Sequence, residues 1–245
     1  MKFYSALKIG DYHQNHCEDH LCIREYGKKM FLCAVMDGCT TALESHFAST
    51  LVGKILNKIC KEKGYKEFVE QDNEIVKIEG HLKLILQDLL TELKNIQNTL
   101  HLDYRELLTT LIIMLFDKDT QEGIILIIGD GFVNVNGKTF EFEQDNKPDY
   151  LGFHLSDDFE TFYHSQQQKI YFDKIADITI STDGIFTFEK LKSYKSSEDI
   201  NVTEFLTIEK TGSESDEMLN LKLKILENNY GLIPCDDFSL IRVIK

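Results

Sequence analysis

Three apolar runs of this chain end in Asp-Gly: "AVMDG" at Asp37, "LIIGDG" at Asp130 and "ITISTDG" at Asp183. Two acidic pairs stand just before other apolar runs, Glu18-Asp19 in "CEDH" and Asp236-Asp237 in "CDDFS". Asp-Gly is a common turn, and turn chemistry explains any one of these exits by itself. The set asks for more, because carboxylates gathered at the edges of stacked sheets repel one another and are costly to desolvate. A bound divalent cation removes that conflict. Carboxylates, a backbone carbonyl and water are the donors that suit Mg²⁺ or Mn²⁺.

The elements that would carry these residues are legible from periodicity. Phe3–Ile9, His20–Tyr26 and Met30–Met36 read as strands separated by polar or glycine-containing breaks. An amphipathic helix follows, with Ala48, Leu51, Val52, Ile55, Leu56, Ile59 and Cys60 at i, i+3, i+4, i+7 spacing. A second runs roughly from Ile78 to Leu100. The middle turns to short continuous apolar runs, "LLTTLIIMLFD" and "GIILIIGD", then to "FVNVNGKTFEF", which alternates around Asn136-Gly137 as a hairpin does. "KIYFD" and "ADITISTDG" add strands, helical spacing returns at Thr203–Glu209 and Met218–Leu226, and "FSLIRVIK" closes the chain as a strand. The segment "SSED" reads as a solvated loop before a helix. This order predicts an α+β layered fold without a linker or repeat.

The bulk numbers narrow the partners. A chain of 245 residues, 42% hydrophobic, is long enough for a substantial core. With 27 Lys and Arg against 41 Asp and Glu, its net charge of −14 disfavours nucleic acid and anionic membrane as partners. No export signal or membrane-spanning run stands out, and the six cysteines form no C-x-x-C pair, so reduced thiols and a cytoplasmic location are expected.

Taken in order, the pieces "CED", "VMDGCT", "LLTTLIIML", "IIGDG", "ISTDG" and "CDDFS" resemble the motif series of the type 2C metal-dependent Ser/Thr protein phosphatases, as a divergent member. The resemblance spans almost the whole chain and implies one domain over residues 1–245. It implies a four-layer α/β/β/α sandwich of two antiparallel sheets flanked by helix pairs. It also implies Mn²⁺ or Mg²⁺ as cofactor (two ions, with a third in some members), a water between two cations as nucleophile, and Ser/Thr phosphoproteins as substrates. Residue by residue, Asp37 and the carbonyl of Gly38 match the bridging position, and Glu18, Asp183 and Asp236 the other metal ligands. Asp130 matches the aspartate of the weaker third site, and Asp19 would orient the attacking water.

The series departs from the family in two places. Gln14 stands where a phosphate-clamping arginine is usual, and Cys39 where a histidine donates a proton to the leaving group. Thr40 and Thr41 replace the following glycines, and Asp237 stands where Asn is usual. His13 and His16, flanking Gln14, are the candidate catalytic substitutes, since imidazole titrates near neutrality. His20 is a weaker one. The stretch "DYHQNHCEDH" is therefore not read as a self-contained zinc site, although its residue types allow one. Cys17, Cys39 and Cys235 adjoin ligand positions and read either as packing residues or as thiols able to take a softer metal or sense oxidation. The region Tyr150–Gln168 is a candidate substrate-gating flap. Two functions stand against each other: a metal-dependent phosphomonoester hydrolase, and a weak or inactive phosphatase-fold module that binds or senses.

Overall fold

Alternation along the apolar runs decides the layering. The protein was analysed as a computed structural model, which describes residues 1–13, 15–69, 76–144, 148–191 and 199–245. Gln14 and the Ser196–Glu198 part of "SSED" lie outside the described residues. One five-stranded sheet runs in the order β2 (His20–Tyr26), β3 (Met30–Met36), β4 (Leu111–Asp117), β5 (Gly123–Ile128) and β8 (Lys169–Phe172). The other runs β1 (Lys2–Lys8), β12 (Phe238–Ile244), β9 (Asp177–Ser181), β6 (Gly131–Val135) and β7 (Lys138–Phe142). Neighbouring strands are antiparallel throughout both sheets.

On β4, Ile112, Met114 and Phe116 point one way and meet Val133, Ile178, Ile180, Ile241 and Val243 of the opposite sheet. Leu111, Ile113 and Leu115 point the other way, onto Leu56, Leu82, Leu86 and Leu89 of α1 (Ser45–Val69) and α2 (Ile78–Leu100). The outer face of the second sheet is covered by α4 (Val202–Thr207) and α5 (Met218–Ile225), through Phe205, Leu206, Met218 and Leu219 on Tyr4, Phe132 and Leu240. The expected α/β/β/α sandwich is thus the observed fold. It explains why β4 and β5 read as unbroken apolar runs: a helix layer covers one face and a sheet the other.

The Asn136-Gly137 hairpin forms as expected, with φ of 54° and 91° at the two turn residues. Asn136 also accepts the N–H groups of Ala176 and Asp177, at 2.8 and 3.0 Å, which ties the hairpin to the start of β9. The Tyr150–Gln168 region is less of a flap than its position suggested. It contains α3 (Phe159–Ser165), capped by Asp158, and it buries Leu151, Leu155, Phe162 and Tyr163 in the α1/α2 layer. A two-stranded ribbon that periodicity did not reveal, β10 (Phe188–Lys190) with β11 (Leu232–Pro234), lies between Asp183 and Asp236 in sequence.

At the β9 start and β12 end, Arg242 is fully buried. It clamps Asp177 with two bonds of 2.8 and 2.6 Å and donates to the carbonyls of Leu206, Ile208 and Glu209, each at 2.8 Å. Lys222 donates to Phe205 and Glu209 carbonyls beside it, and burial, then the Arg242 charge, pulls its ammonium down to about 8. The two cations satisfy the orphan carbonyls at the end of α4. Arg242→Ala leaves the Asp177 carboxylate buried without its partner and is expected to cost about 3–5 kcal/mol, read as a shift of the urea unfolding midpoint.

Candidate active site

The strand register carries all five acidic stations to one edge of the sandwich. His20 pairs with Met36, so Glu18-Asp19 and Asp37-Gly38 emerge side by side, with Gly38 N–H donating to the Glu18 carbonyl at 3.1 Å. Leu240 pairs with Ser181, which sets Asp236-Asp237 beside Asp183. Leu111 pairs with Ile128, which brings Asp130 to the same edge, and Thr110 N–H donates to the Asp37 carbonyl at 2.9 Å.

Turn chemistry does not account for two of the three Asp-Gly pairs. Neither Gly38 nor Gly184 has a positive φ, unlike the Gly129 and Gly131 that flank Asp130. Their need is for space: a Cβ on Gly38 would lie 1.9 Å from the Ser45 carbonyl oxygen, and one on Gly184 1.9 Å from that of Asp237. Gly184 lets the backbones of two acidic motifs touch, and Gly38 lets the first turn of α1 close on the Asp37 station beside the Glu18 carbonyl.

Hydroxyls fix the carboxylates. Ser45 Oγ, at the first residue of α1, donates to Glu18 Oε1 at 2.5 Å, and Thr182 Oγ1 donates to Asp19 Oδ2 at 2.6 Å. Thr109 Oγ1 donates to the Asp37 carbonyl at 2.7 Å, and Thr187 Oγ1 accepts from Asp236 N–H at 3.1 Å. Thr109 and Thr182 lie within the motif pieces "LLTTLIIML" and "ISTDG", whereas Ser45 and Thr187 carry no motif signal of their own. Tyr150 had no signal at all. Burial, then Cys39 and the charges of Asp37 and Asp130, drives the ionisation of its phenol far above the usual range.

The cluster is electrostatically unfavourable as it stands. Burial, then Asp19 and Asp183, holds the Asp37 carboxyl well above the carboxylate range. Burial pushes Asp19 up to about 7 against the pull of its Thr182 bond, and burial with Asp130 and Asp236 pushes Asp183 to about 6. Asp130 is also raised, chiefly by burial. Asp19 and Asp37 are close neighbours, and the charge of Asp19 is one of the causes that raise Asp37. Among the described residues no three His, Cys, Asp or Glu side chains stand together as a ready-made metal site. Yet Glu18 Oε2 and Asp19 Oδ1 are buried and reached by no N–H or hydroxyl donor. Buried oxygens without donors, beside carboxyls raised by burial and by one another's charge, are what a hard divalent cation satisfies, so the residues fit one.

The two histidines part company. His13 Nδ1 lies 2.9 Å from Asp237 Oδ2, off the line of a hydrogen bond, and Nε2 lies 3.7 Å from Asp236 Oδ1. Burial works against its charge, but the Asp237 contact and the charges of Asp237, Glu18 and Asp236 prevail and raise it. Asp237 itself is 2% exposed; it accepts the N–H groups of Gly10, at 2.7 Å, and of Glu18. The carboxylate in place of the usual Asn therefore fastens the segment before β2 to the start of β12, and His13 balances its charge. His13→Ala is expected to destabilise the fold by about 3 kcal/mol, seen in thermal melts, by stranding that buried carboxylate. His16 is exposed and stacks on His46, ring centroids 4.2 Å apart, at the first turn of α1. His20 sits on β2 against Gly53, and burial lowers its pKa. Cys39 Sγ lies 3.2 Å from Thr41 Oγ1, and burial, then the charges of Asp237 and Asp19, drives the Cys17 thiol far up, against any role as a ready thiolate.

Residues 10–224 match the family described as Protein phosphatase 2C, and the chain belongs to that family. Among similar solved structures is the phosphatase domain of SpoIIE from Bacillus subtilis with a fragment of its regulatory domain (15% identity, TM-score 0.56). The match covers 98% of this chain and 62% of that one, so this chain spans less than two thirds of that structure's length. A bacterial serine phosphatase (13% identity, TM-score 0.55) is covered over 96% of its length by 99% of this chain. RsbX in complex with magnesium (13% identity, TM-score 0.54) is covered over 92% by 98% of this chain. At such identities the likeness is one of fold. No curated protein sequence matches the chain. Among the described residues, no helix is long and apolar enough to cross a membrane.

Proposed function

We propose that this member of the phosphatase 2C family is an active, divalent-metal-dependent phosphomonoester hydrolase whose substrates are Ser/Thr phosphoproteins. One observation carries the reading: the buried, donorless oxygens of Glu18 and Asp19 lie within a carboxylate cluster that costs stability unless a cation neutralises it. In this reading Glu18, Asp37, Asp183 and Asp236 hold Mn²⁺ or Mg²⁺ together with the Gly38 carbonyl, and Asp130 serves a third, weaker position. When bound, the cations supply an acidified water and neutralise phosphoryl charge.

The chain's own groups do the rest. Asp19, anchored by Thr182 through Oδ2, keeps an unpartnered Oδ1 that would accept a hydrogen bond from the attacking water. His13 holds Asp237 and through it the Glu18 backbone, so its contribution is positioning. His16, exposed beside His46, is the imidazole available to the phosphoryl group or the leaving alkoxide. The Tyr150 phenol next to Cys39 is a neutral donor at the position where the family's histidine acts.

The test is hydrolysis of p-nitrophenyl phosphate and a phosphothreonine peptide with Mn²⁺, Mg²⁺ or chelator. Turnover in metal and none in chelator is expected; no turnover of either substrate in any metal overturns the hydrolase. The contact of Cys39 with Thr41 in place of a family histidine favours the second reading, a binding module, which predicts phosphopeptide affinity without turnover.

A further inference from the structure

Beside the metal-site candidates lies a depression of about 260 Å³. It is lined by Tyr12, Phe186, Thr187, Phe188, Glu189, Cys235 and Asp236. It begins where the acidic cluster ends, since Asp236 belongs to both. Its walls are held in place. Phe186 meets Phe132 edge-on at 6.0 Å between centroids, and Phe188 meets Phe238 edge-on at 5.6 Å. The backbone of Tyr12 donates to the Cys235 carbonyl at 3.0 Å. Despite this anchoring, Tyr12 is 68% and Phe186 46% exposed. Two substantially exposed aromatic rings therefore line the depression together with the Glu189 carboxylate. Every charged residue of the lining is acidic, and Asp11 adds a further negative charge near Tyr12.

We propose that this depression is a specificity subsite for an arginine side chain of the phosphoprotein substrate. The proposal rests on the hydrolase reading above and deepens it by naming what flanks the phosphoresidue. An aliphatic stem packs on aromatic faces, and a guanidinium is attracted to them and to a carboxylate at once. The planar fork favours arginine over lysine where stacking and paired hydrogen bonds coincide. Asp236 is committed to the metal site, so Glu189 is the carboxylate that receives the fork.

The experiment uses fluorescein-labelled peptides bearing a non-hydrolysable phosphonate analogue of phosphoserine, with Arg, Lys, Leu, Ala or Glu at each flanking position. Affinities for the full chain in Mn²⁺ are read by fluorescence anisotropy. At one flanking position the Arg peptide is expected to bind at least about tenfold tighter than the Ala peptide, with Lys between them and Glu weakest. The Arg-to-Ala ratio is expected to fall below about threefold in Glu189→Gln and, independently, in Phe186→Ser. Equal binding of Arg and Ala peptides, a preference for Leu, or a ratio unchanged in both variants overturns the subsite. A dimer in light scattering that Glu189→Gln dissolves overturns it too, assigning the depression to a second copy of the chain. The p-nitrophenyl phosphate assay separates the two claims. Absent turnover with a persistent Arg preference overturns the hydrolase and upholds the subsite; turnover with no Arg preference does the reverse.

Discussion

Asp37→Asn and Asp183→Asn are each expected to lower kcat/KM toward p-nitrophenyl phosphate on the order of 10²–10³-fold, the scale of a lost electrostatic contact to the transition state. The same substitutions are expected to raise the melting temperature of the chelator-treated protein at pH 8. The reason is that the cluster is held together against its own charge. Asp37 is buried against Asp19 and Asp183, and Asp183 against Asp130 and Asp236. An amide of the same shape removes one of the repelling groups and can donate to its neighbour. Loss of activity with a gain of metal-free stability identifies a site that sacrifices folding energy for function. A variant that loses both activity and metal-free stability would mean that the carboxylate merely supports the fold. The gain should vanish near pH 5, where the wild-type carboxyls keep their protons.

The second large effect couples pH to metal. Burial raises Asp19 to about 7 and, with neighbouring carboxylates, Asp183 to about 6 and Asp37 well above the usual carboxylate value near 3.8. A group whose folded pKa is raised binds more protons in the native than in the unfolded state. The stability it contributes is then complete below the unfolded value and is lost as pH rises through the folded one. The metal-free protein is therefore expected to melt lower at pH 8 than at pH 5, by up to about 1.4 kcal/mol per pH unit for each group across its window. His13 and His154, both raised by acidic neighbours, act in the same direction. Mn²⁺ favours the ionised carboxylates, so its stabilisation should be larger at pH 8. At 100 times its Kd it adds about 2.7 kcal/mol, or roughly 5–11 °C for a chain of this size. Binding must also release protons, more at pH 6 than at pH 8.5, which titration calorimetry in buffers of different ionisation enthalpy reads without any turnover. No proton release at pH 6, or equal stabilisation at both pH values, would remove the carboxylates from the metal site.

Much of the fold could be read from local pattern because its layers obey simple periods. The hairpin at Asn136-Gly137 needs two positive φ angles, and those residue types supply them. The unbroken runs of β4 and β5 follow from burial on both faces. The β10–β11 ribbon was hidden because each strand has three residues, too few for a period to appear, and α3 because its seven residues make only about two turns. At the site, the acidic stations stood out by type and position, whereas Ser45, Thr187 and Tyr150 did not. A hydroxyl becomes part of such a site only through what lies across from it, and nothing in its own neighbourhood in sequence records that.

The sequence by itself determined that carboxylates would stand at five strand ends and that strands and helices would stack in layers, because residue type and period are local properties. Only the tertiary structure decided which of those carboxylates meet. The registers His20–Met36 and Leu240–Ser181 bring them to one edge, and Gly38 and Gly184 let their backbones close to contact. It likewise decided that His13 balances Asp237 while His16 remains at the surface. It also set an aromatic depression beside Asp236, since charge balance and concavity arise between segments distant along the chain.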